Sequence, residues 1–227
     1  MKRPISVLAA FFLLAGSAQA TTLGFGSKGV NRAIPSTWGS NIAVAEAGIV
    51  DNLGLGWTPD VGLTWSATTA TGVGWEFYND AEWSAAQMDG FVSGAKFDLL
   101  FTPDAGYAVQ VRSFVFDDYL GYKSGSKFTW QLFKDSASGA LINSGTNISV
   151  TDGQDLLINT GMASPYAGPV LLRLIGVTGN DGQDESLDTV TFTQAAVSVP
   201  ETVTLLPLAS ALIGLGLLGR TRFRTKP

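Results

Sequence analysis

The sequence predicts an all-β protein: a single antiparallel β-sandwich or jelly roll, flanked by an N-terminal signal helix and a C-terminal transmembrane helix. Three observations predict it. Apolar and polar residues alternate in KFDLLFTP (Phe97, Leu99, Phe101) and KFTWQLF (Phe128, Trp130, Leu132), the period of a strand with one buried face. Turn-rich stretches such as TPDAG, KSGSK, DSASG and TGNDGQD separate these runs at a spacing of about ten residues, as in sandwiches and jelly rolls. No long stretch of helical period stands between the two ends.

The chain opens MKRPISVLAAFFLLAGSAQA. Lys2 and Arg3 form a positive start, residues 5–14 an apolar run, and Ala18-Gln19-Ala20 a small-residue cleavage site. This is the secretory signal pattern over residues 1–20, with cutting by signal peptidase expected before Thr21. A buried N-terminal helix fits less well, because the run is short, basic at its start and followed directly by Thr/Gly-rich sequence.

Residues 21–198 then form the expected exported domain. Its first 40 residues are Gly-rich and weakly patterned, and are expected to wrap the sandwich as an N-terminal strand and long loops. Strands are expected at VGLTWSA, VGWEFY, KFDLLFTP, YAVQVRSFVFDDY, KFTWQLF, GPVLLRL and DTVTFTQ. In YAVQVRSFVFDDY the apolar set slips from Tyr107, Val109 and Val111 to Phe114 and Phe116, which predicts a bulge near Arg112 and Ser113. Neither an internal repeat nor a linker composition divides the region, so one domain is expected.

Residues 203–219 carry no charge and would span about 25 Å as a helix, at the short limit for a bilayer core. Pro207 would weaken or kink its start. The segment reads as a membrane span or as an apolar helix docked on the domain. The basic tip that follows, Arg220, Arg222, Arg224 and Lys226, favours the span by holding the C-terminus in the cytoplasm. With the signal peptide sending the bulk outward, the two ends describe a type I anchor.

Charge and composition exclude several functions. Residues 21–199 keep 8 of the 14 basic and 18 of the 19 acidic residues, a formal charge of −10. A nucleic-acid partner is not expected at that charge. The chain has neither cysteine nor histidine. That removes Ser-His-Asp and Cys-His catalysis, haem attachment and the usual zinc sites. Two stretches, GFGSKG and GLGLLG, match G-x-G-x-x-G, but neither sits between a strand and a helix, so no dinucleotide site follows.

Three sets of residues could carry chemistry. The segment TGVGWEFYNDAEW holds Trp75, Phe77, Tyr78 and Trp83. Any one of these reads first as core, but Trp83, among Asn79, Asp80 and Glu82, is the candidate for an exposed ring that stacks on a sugar. The loop GNDGQDES gathers Asp181, Asp184 and Glu185 just before Asp188, oxygen ligands of the kind calcium takes. Its plainer reading is a solvated acidic loop with Asp188 capping backbone N–H groups. A glycoside hydrolase would need two facing carboxylates, and the obvious adjacent pair, Asp117 and Asp118, should point to opposite faces of a strand.

Just before the C-terminal apolar run stands Val199-Pro200-Glu201. The order Pro-Glu, apolar segment, Arg cluster resembles the PEP-CTERM sorting signal of Gram-negative bacteria, over residues 199–227. Thr202 stands where that signal has a second proline. PSTWGSNIA, FTPDAGYAVQVRSFVFDDY and LDTVTFTQ are similar to the mature domains found ahead of such tails. The resemblance implies recognition by an exosortase, transient anchoring in the inner membrane, and transfer to the cell surface or extracellular matrix. It implies a non-catalytic role, structural or polysaccharide-associated. An extracellular carbohydrate-active hydrolase using a carboxylate pair is the alternative. LDTVTFTQ also resembles the last strand of jelly-roll carbohydrate-binding modules, which implies Asp188 as a candidate ligand of a structural calcium. No other cofactor is expected.

Overall fold

The computed structural model describes residues 20–25, 32–42, 58–79, 84–118, 126–151, 153–178 and 185–197. The signal segment before residue 20, Trp83, the loop 179–184, Val199, Pro200, Glu201 and the basic tip lie outside the described residues. So does the expected span at residues 203–219; among the described residues no helix is long and apolar enough to cross a membrane. The chain divides into two compact units, Met1–Ala196 and Val197–Pro227, and every strand among the described residues lies in the first.

Among the described residues twelve strands make two antiparallel sheets: β1 (Ala20–Gly24), β2 (Arg32–Ala33), β3 (Val61–Thr68), β4 (Trp75–Asn79), β5 (Ser84–Met88), β6 (Lys96–Pro103), β7 (Tyr107–Asp118), β8 (Lys127–Lys134), β9 (Leu141–Ser149), β10 (Gln154–Asn159), β11 (Val170–Thr178) and β12 (Glu185–Ala196). The seven-stranded sheet runs β10-β7-β12-β5-β4-β2, with β1 also paired to β12. The five-stranded sheet runs β3-β6-β11-β8-β9. From β5 to β12 successive strands change sheet at every connection except β8 to β9, which pair with each other. The protein is thus a β-sandwich, as its alternation predicts.

The alternating apolar residues build the core between the sheets. In the five-stranded sheet Leu172 of β11 lies between Leu99 and Leu132, and Leu174 between Phe97 and Trp130, all buried. Aromatic contacts cross to the other sheet: Phe116 stacks on Phe128 with centroids 3.9 Å apart, and Phe114 meets Trp130 edge-on at 5.9 Å. Each such phenyl ring withdraws enough apolar surface to favour folding by about 2–3 kcal/mol before entropic costs.

The slip in β7 is a bulge. Thr191 of β12 pairs with Ser113 and Phe192 with Val111, so Arg112 has no residue opposite it. The extra residue turns Phe114 and Phe116 back to the face already occupied by Val109 and Val111. A second irregularity falls on β12: Leu187 pairs with Phe116 and Thr189 with Val115, leaving Asp188 as the inserted residue.

The N-terminal region contributes the strand expected of it. Leu23 and Phe25 enter the core, and Phe25 stacks on Trp38 at 5.1 Å. Trp65 and Trp75 continue this aromatic run, edge-on at 5.0 Å. Their indole N–H groups donate to the backbone oxygens of Trp38 (2.8 Å) and Ser66 (3.0 Å), so the buried rings leave no polar atom unmet. The turn at residues 36–41 holds Gly39 at φ +77°, close against Leu23 and Leu63.

Candidate functional site

The fold sorts the candidate side chains by face. Phe116 points into the core, so its neighbour Asp117 lies on the outer face of the seven-stranded sheet and Asp118 on the inner side. The expectation that the two carboxylates diverge therefore holds. Asp118 closes the end of the sandwich, its Oδ2 accepting from the Ser126 N–H (2.9 Å) and the Ser126 hydroxyl (3.0 Å). Trp75 and Phe77 are core residues, 5% and 4% exposed, as the plainer reading of the aromatic segment has it.

On the outer face, register brings together residues far apart in sequence. Asp155 of β10 pairs with Asp117 of β7, Asp117 with Ser186 of β12, Ser186 with Gln87 of β5, and Gln87 with Glu76 of β4. Their chain neighbours Leu156, Phe116, Leu187, Ala86, Met88, Trp75 and Phe77 pack in or against the core, which puts this polar row on the opposite face. Asp188 belongs beside it. Leu187 and Val190 both turn inward, so the bulge residues Asp188 and Thr189 share the outer face.

The row is graded in burial. Asp155 is exposed and Glu76 half-buried, whereas Asp117, Ser186 and Gln87 are buried. Ser186 Oγ is sequestered with no hydrogen-bond partner, a condition that costs about 1–3 kcal/mol for a hydroxyl. Asp188 is half-buried, and loss of water, with the charge of Asp155 second, raises its pKa to about 6. Glu76 is also held above the usual carboxylate range, chiefly by burial and then by Asp89.

The reachable groups of this face are the carboxyls of Asp155, Glu76 and Asp188, one of which takes up its proton near pH 6, while Asp117, Gln87 and Ser186 are buried between them. Such groups suit the vicinal hydroxyls of a sugar, each able to give one hydrogen bond and receive another. For a cation the geometry is less complete: among the described residues no three His, Cys, Asp or Glu side chains gather closely enough to hold a metal ion.

Of the residues singled out in the sequence, Asp188 reaches this face, while Trp83 falls outside the described residues. Ala20 and Thr21, either side of the expected cleavage point, lie in β1 opposite Thr193 and Phe192, and Ala18 precedes the described residues. The residues that sequence reasoning missed are Asp155, Ser186, Gln87 and Glu76. Asp155 carried no clear signal, since Leu157 fills the gap between Leu156 and Ile158 in QDLLIN and hides their alternation. The others are joined only by strand register.

No family model and no curated protein matches the chain. Among solved structures, a family two carbohydrate esterase from Cellvibrio japonicus aligns at a TM-score of 0.28 and 11% identity, over 61% of this chain and 37% of that one. A chain of the T13 IBDV viral particle aligns at 0.25 and 14% identity, over 79% and 54%. One from the infectious bursal disease virus Gt strain aligns at 0.24 and 13% identity, over 79% and 56%. The chain thus spans less than two thirds of each, and TM-scores this low carry no argument about function.

Proposed function

We propose that this chain is an exported, non-catalytic domain, sorted through a PEP-CTERM-like tail to the cell surface or extracellular matrix, where it serves as a structural or polysaccharide-associated component. The observation that carries the reading is the pair of ends. A signal pattern over residues 1–20 is matched by Pro200-Glu201, an uncharged run at 203–219 and the basic tip Arg220, Arg222, Arg224 and Lys226. Signal peptidase and exosortase are the partners during export, with transient anchoring in the inner membrane.

The strand order supports a jelly-roll form: β5-β12-β7-β10 in one sheet and β6-β11-β8-β9 in the other, with β8 to β9 the one connection that stays within a sheet. The exposed Asp155 and the half-buried Glu76 and Asp188 on the outer face support contact with a hydroxyl-rich polymer.

The test has two arms. Intact mass and N-terminal sequencing of the protein from its host's surface fraction should show a start at Thr21 and loss of the tail. A cytoplasmic chain retaining Met1 would overturn the export reading. The same material is then passed over the host's extracellular polysaccharide with calcium and with chelator. Retention weakened by Asp188→Asn supports the glycan face, and loss of retention in chelator assigns Asp188 a calcium. Absence of retention in both conditions leaves a scaffold that contacts other proteins.

One observation favours a second reading, a hydrolase. Asp188 and Asp155 lie on the outer face with β7 between their strands, two carboxyls of which Asp188 is held above the usual range to about 6, and glycoside hydrolysis uses a raised acid together with a second carboxyl. Depolymerisation of the polysaccharide that disappears in both Asp188→Asn and Asp155→Asn would replace the non-catalytic assignment.

A further inference from the structure

Among the described residues β10, β2 and β1 lie outermost in the seven-stranded sheet and β3 and β9 in the five-stranded one, and β2, β3 and β9 are closed to further pairing. The outer side of β3 is bonded by residues 36–41: Trp65 N–H donates to Ser36 O (2.9 Å), Asn41 N–H to Val61 O (2.9 Å) and Leu63 N–H to Ser40 Oγ (2.8 Å). β2 is two residues long. β9 breaks register twice against β8 and carries Asn147 at φ 53°, the kind of distortion that protects an edge.

β10 has no such device. It pairs with β7 over six consecutive residues, Gln154 to Asn159, without a shift. It contains no proline and no lysine, and Leu157 is 58% exposed. Thr160 N–H donates to Arg112 O (2.9 Å), which fixes the alternation of the ladder. The even-numbered residues bond to β7, so the N–H and C=O groups of Asp155, Leu157 and Asn159 point away from it, toward the open edge.

We propose that this edge pairs with β10 of a second copy of the same chain, antiparallel about a two-fold axis at Leu157, joining the two seven-stranded sheets into one. The free backbone groups select this register. A hydrogen-bonded pair needs two outward-pointing residues opposite each other, and centring on Leu157 sets Leu157 against Leu157 and Asp155 against Asn159. That gives three hydrogen-bonded pairs, about six bonds in all. A register centred between Leu156 and Leu157 would face outward groups with inward ones and bond poorly.

The side chains agree with the backbone. On the outer face the exposed Leu157 is covered by its own copy, and each Asp155 carboxylate meets an Asn159 carboxamide rather than a like charge. The two Asp155 groups lie about 14 Å apart along the strands, beyond the Debye length at physiological salt. On the inner side Leu156 meets Ile158, both already packed against the core. An isologous contact of this kind closes as a dimer.

The sequence supplies a clean probe, because the chain has no cysteine. In the proposed register the two Leu157 Cα atoms stand about 5.5 Å apart, within disulfide reach. We would introduce Leu157→Cys into the full chain and, as control, Leu141→Cys on β9, which is 52% exposed. Copper-catalysed oxidation should convert most of L157C to a disulfide dimer and leave L141C largely monomeric. Equal cross-linking of the two, or none in L157C, would overturn the proposal.

Sedimentation of the cysteine-free chain gives an independent readout. The wild type should be dimeric and Leu157→Lys monomeric, with an unchanged far-ultraviolet spectrum. Added salt should strengthen the wild-type dimer, since two copies repel at a formal charge of −5 each. A wild-type monomer, or a dimer that L157K leaves intact, would show that β10 is not the interface.

Discussion

Arg173 and Asp98 sit directly opposite each other on β11 and β6 and are joined by two hydrogen bonds, Nε to Oδ1 and Nη2 to Oδ2, each 2.7 Å long. The guanidinium and carboxylate planes thereby cross-link neighbouring strands of the five-stranded sheet on its outer face. Each side chain is 18% exposed, dry enough to strengthen the pair and wet enough to avoid a large desolvation cost. The bonds to Asp98 also hold the Arg173 proton more firmly than usual.

A double-mutant cycle on this pair should give a coupling of about 1 kcal/mol, at the upper end for a partly exposed ion pair because the geometry is bidentate. Arg173→Lys should lose most of it, since an ammonium cannot make both bonds. Urea unfolding of Arg173→Lys, Asp98→Asn and the double variant measures the coupling. A value indistinguishable from zero at low salt would show that the sheet does not depend on this link.

The stacked pair Phe116 and Phe128, 3.9 Å apart and inclined by 4°, ties the two sheets beneath the polar row. Both rings are fully buried. Phe116→Ala should therefore cost about 3–5 kcal/mol, from lost burial and the cavity left behind. Leu157→Ala, exposed on β10, should change monomer stability by less than about 0.5 kcal/mol. Denaturant midpoints of the two variants, measured in dilute solution, separate core from edge.

The strands legible in the sequence are those in which large apolar residues alternate cleanly, such as Phe97, Leu99 and Phe101 in β6. The bulge at Arg112 was legible for the same reason, because the apolar register visibly slips across it. Besides the two-residue β2, three strands left no comparable trace. The core positions of β5 are Ala86 and Met88, too modest to mark a period. The period of β9 is broken by its own register shifts, and in β10 the exposed Leu157 fills the gap between Leu156 and Ile158, so alternation reads as a plain apolar run. The second bulge is hidden in LDTV, which passes for regular alternation. Asp188 could be named in advance, but its association with Asp155 could not, because β7 lies between their strands and only long-range register brings them near.

Gly39 and Gly72 both have φ +77°, yet they should respond differently to alanine. A Cβ at Gly39 would approach Leu23 Cδ1 and Leu63 Cδ1 to 3.0 Å, whereas at Gly72 it would meet nothing within 4 Å. Gly72→Ala should cost about 1 kcal/mol, the strain of the left-handed conformation alone. Gly39→Ala adds displacement of two buried leucines and should cost about 1–3 kcal/mol more. Thermal unfolding of both tests whether the turn at 36–41 is seated tightly on β1 and β3. Equal losses would mean that the leucines yield without cost.

The pKa of Asp188, raised to about 6 by burial and then by Asp155, makes stability depend on pH in a definite direction. An unfolded aspartate titrates near 3.8, so between that value and about 6 the folded chain holds a proton that the unfolded chain has released. Stability from this group therefore falls as pH rises through that window and stays low above it. Below it the carboxyl is protonated in both states and the penalty vanishes. Asp188→Asn, which keeps the shape and removes the charge, should stabilise the protein by about 1–2 kcal/mol at pH 7, the full shift being discounted because the group is only half-buried. The gain should shrink toward zero near pH 4. Asp155→Asn should capture the smaller part, since Asp155 is the second cause of the shift. Urea unfolding at pH 4, 5.5 and 7 measures all three proteins. A gain for Asp188→Asn that is independent of pH would mean that packing at the bulge, rather than ionisation of this carboxyl, sets the stability there.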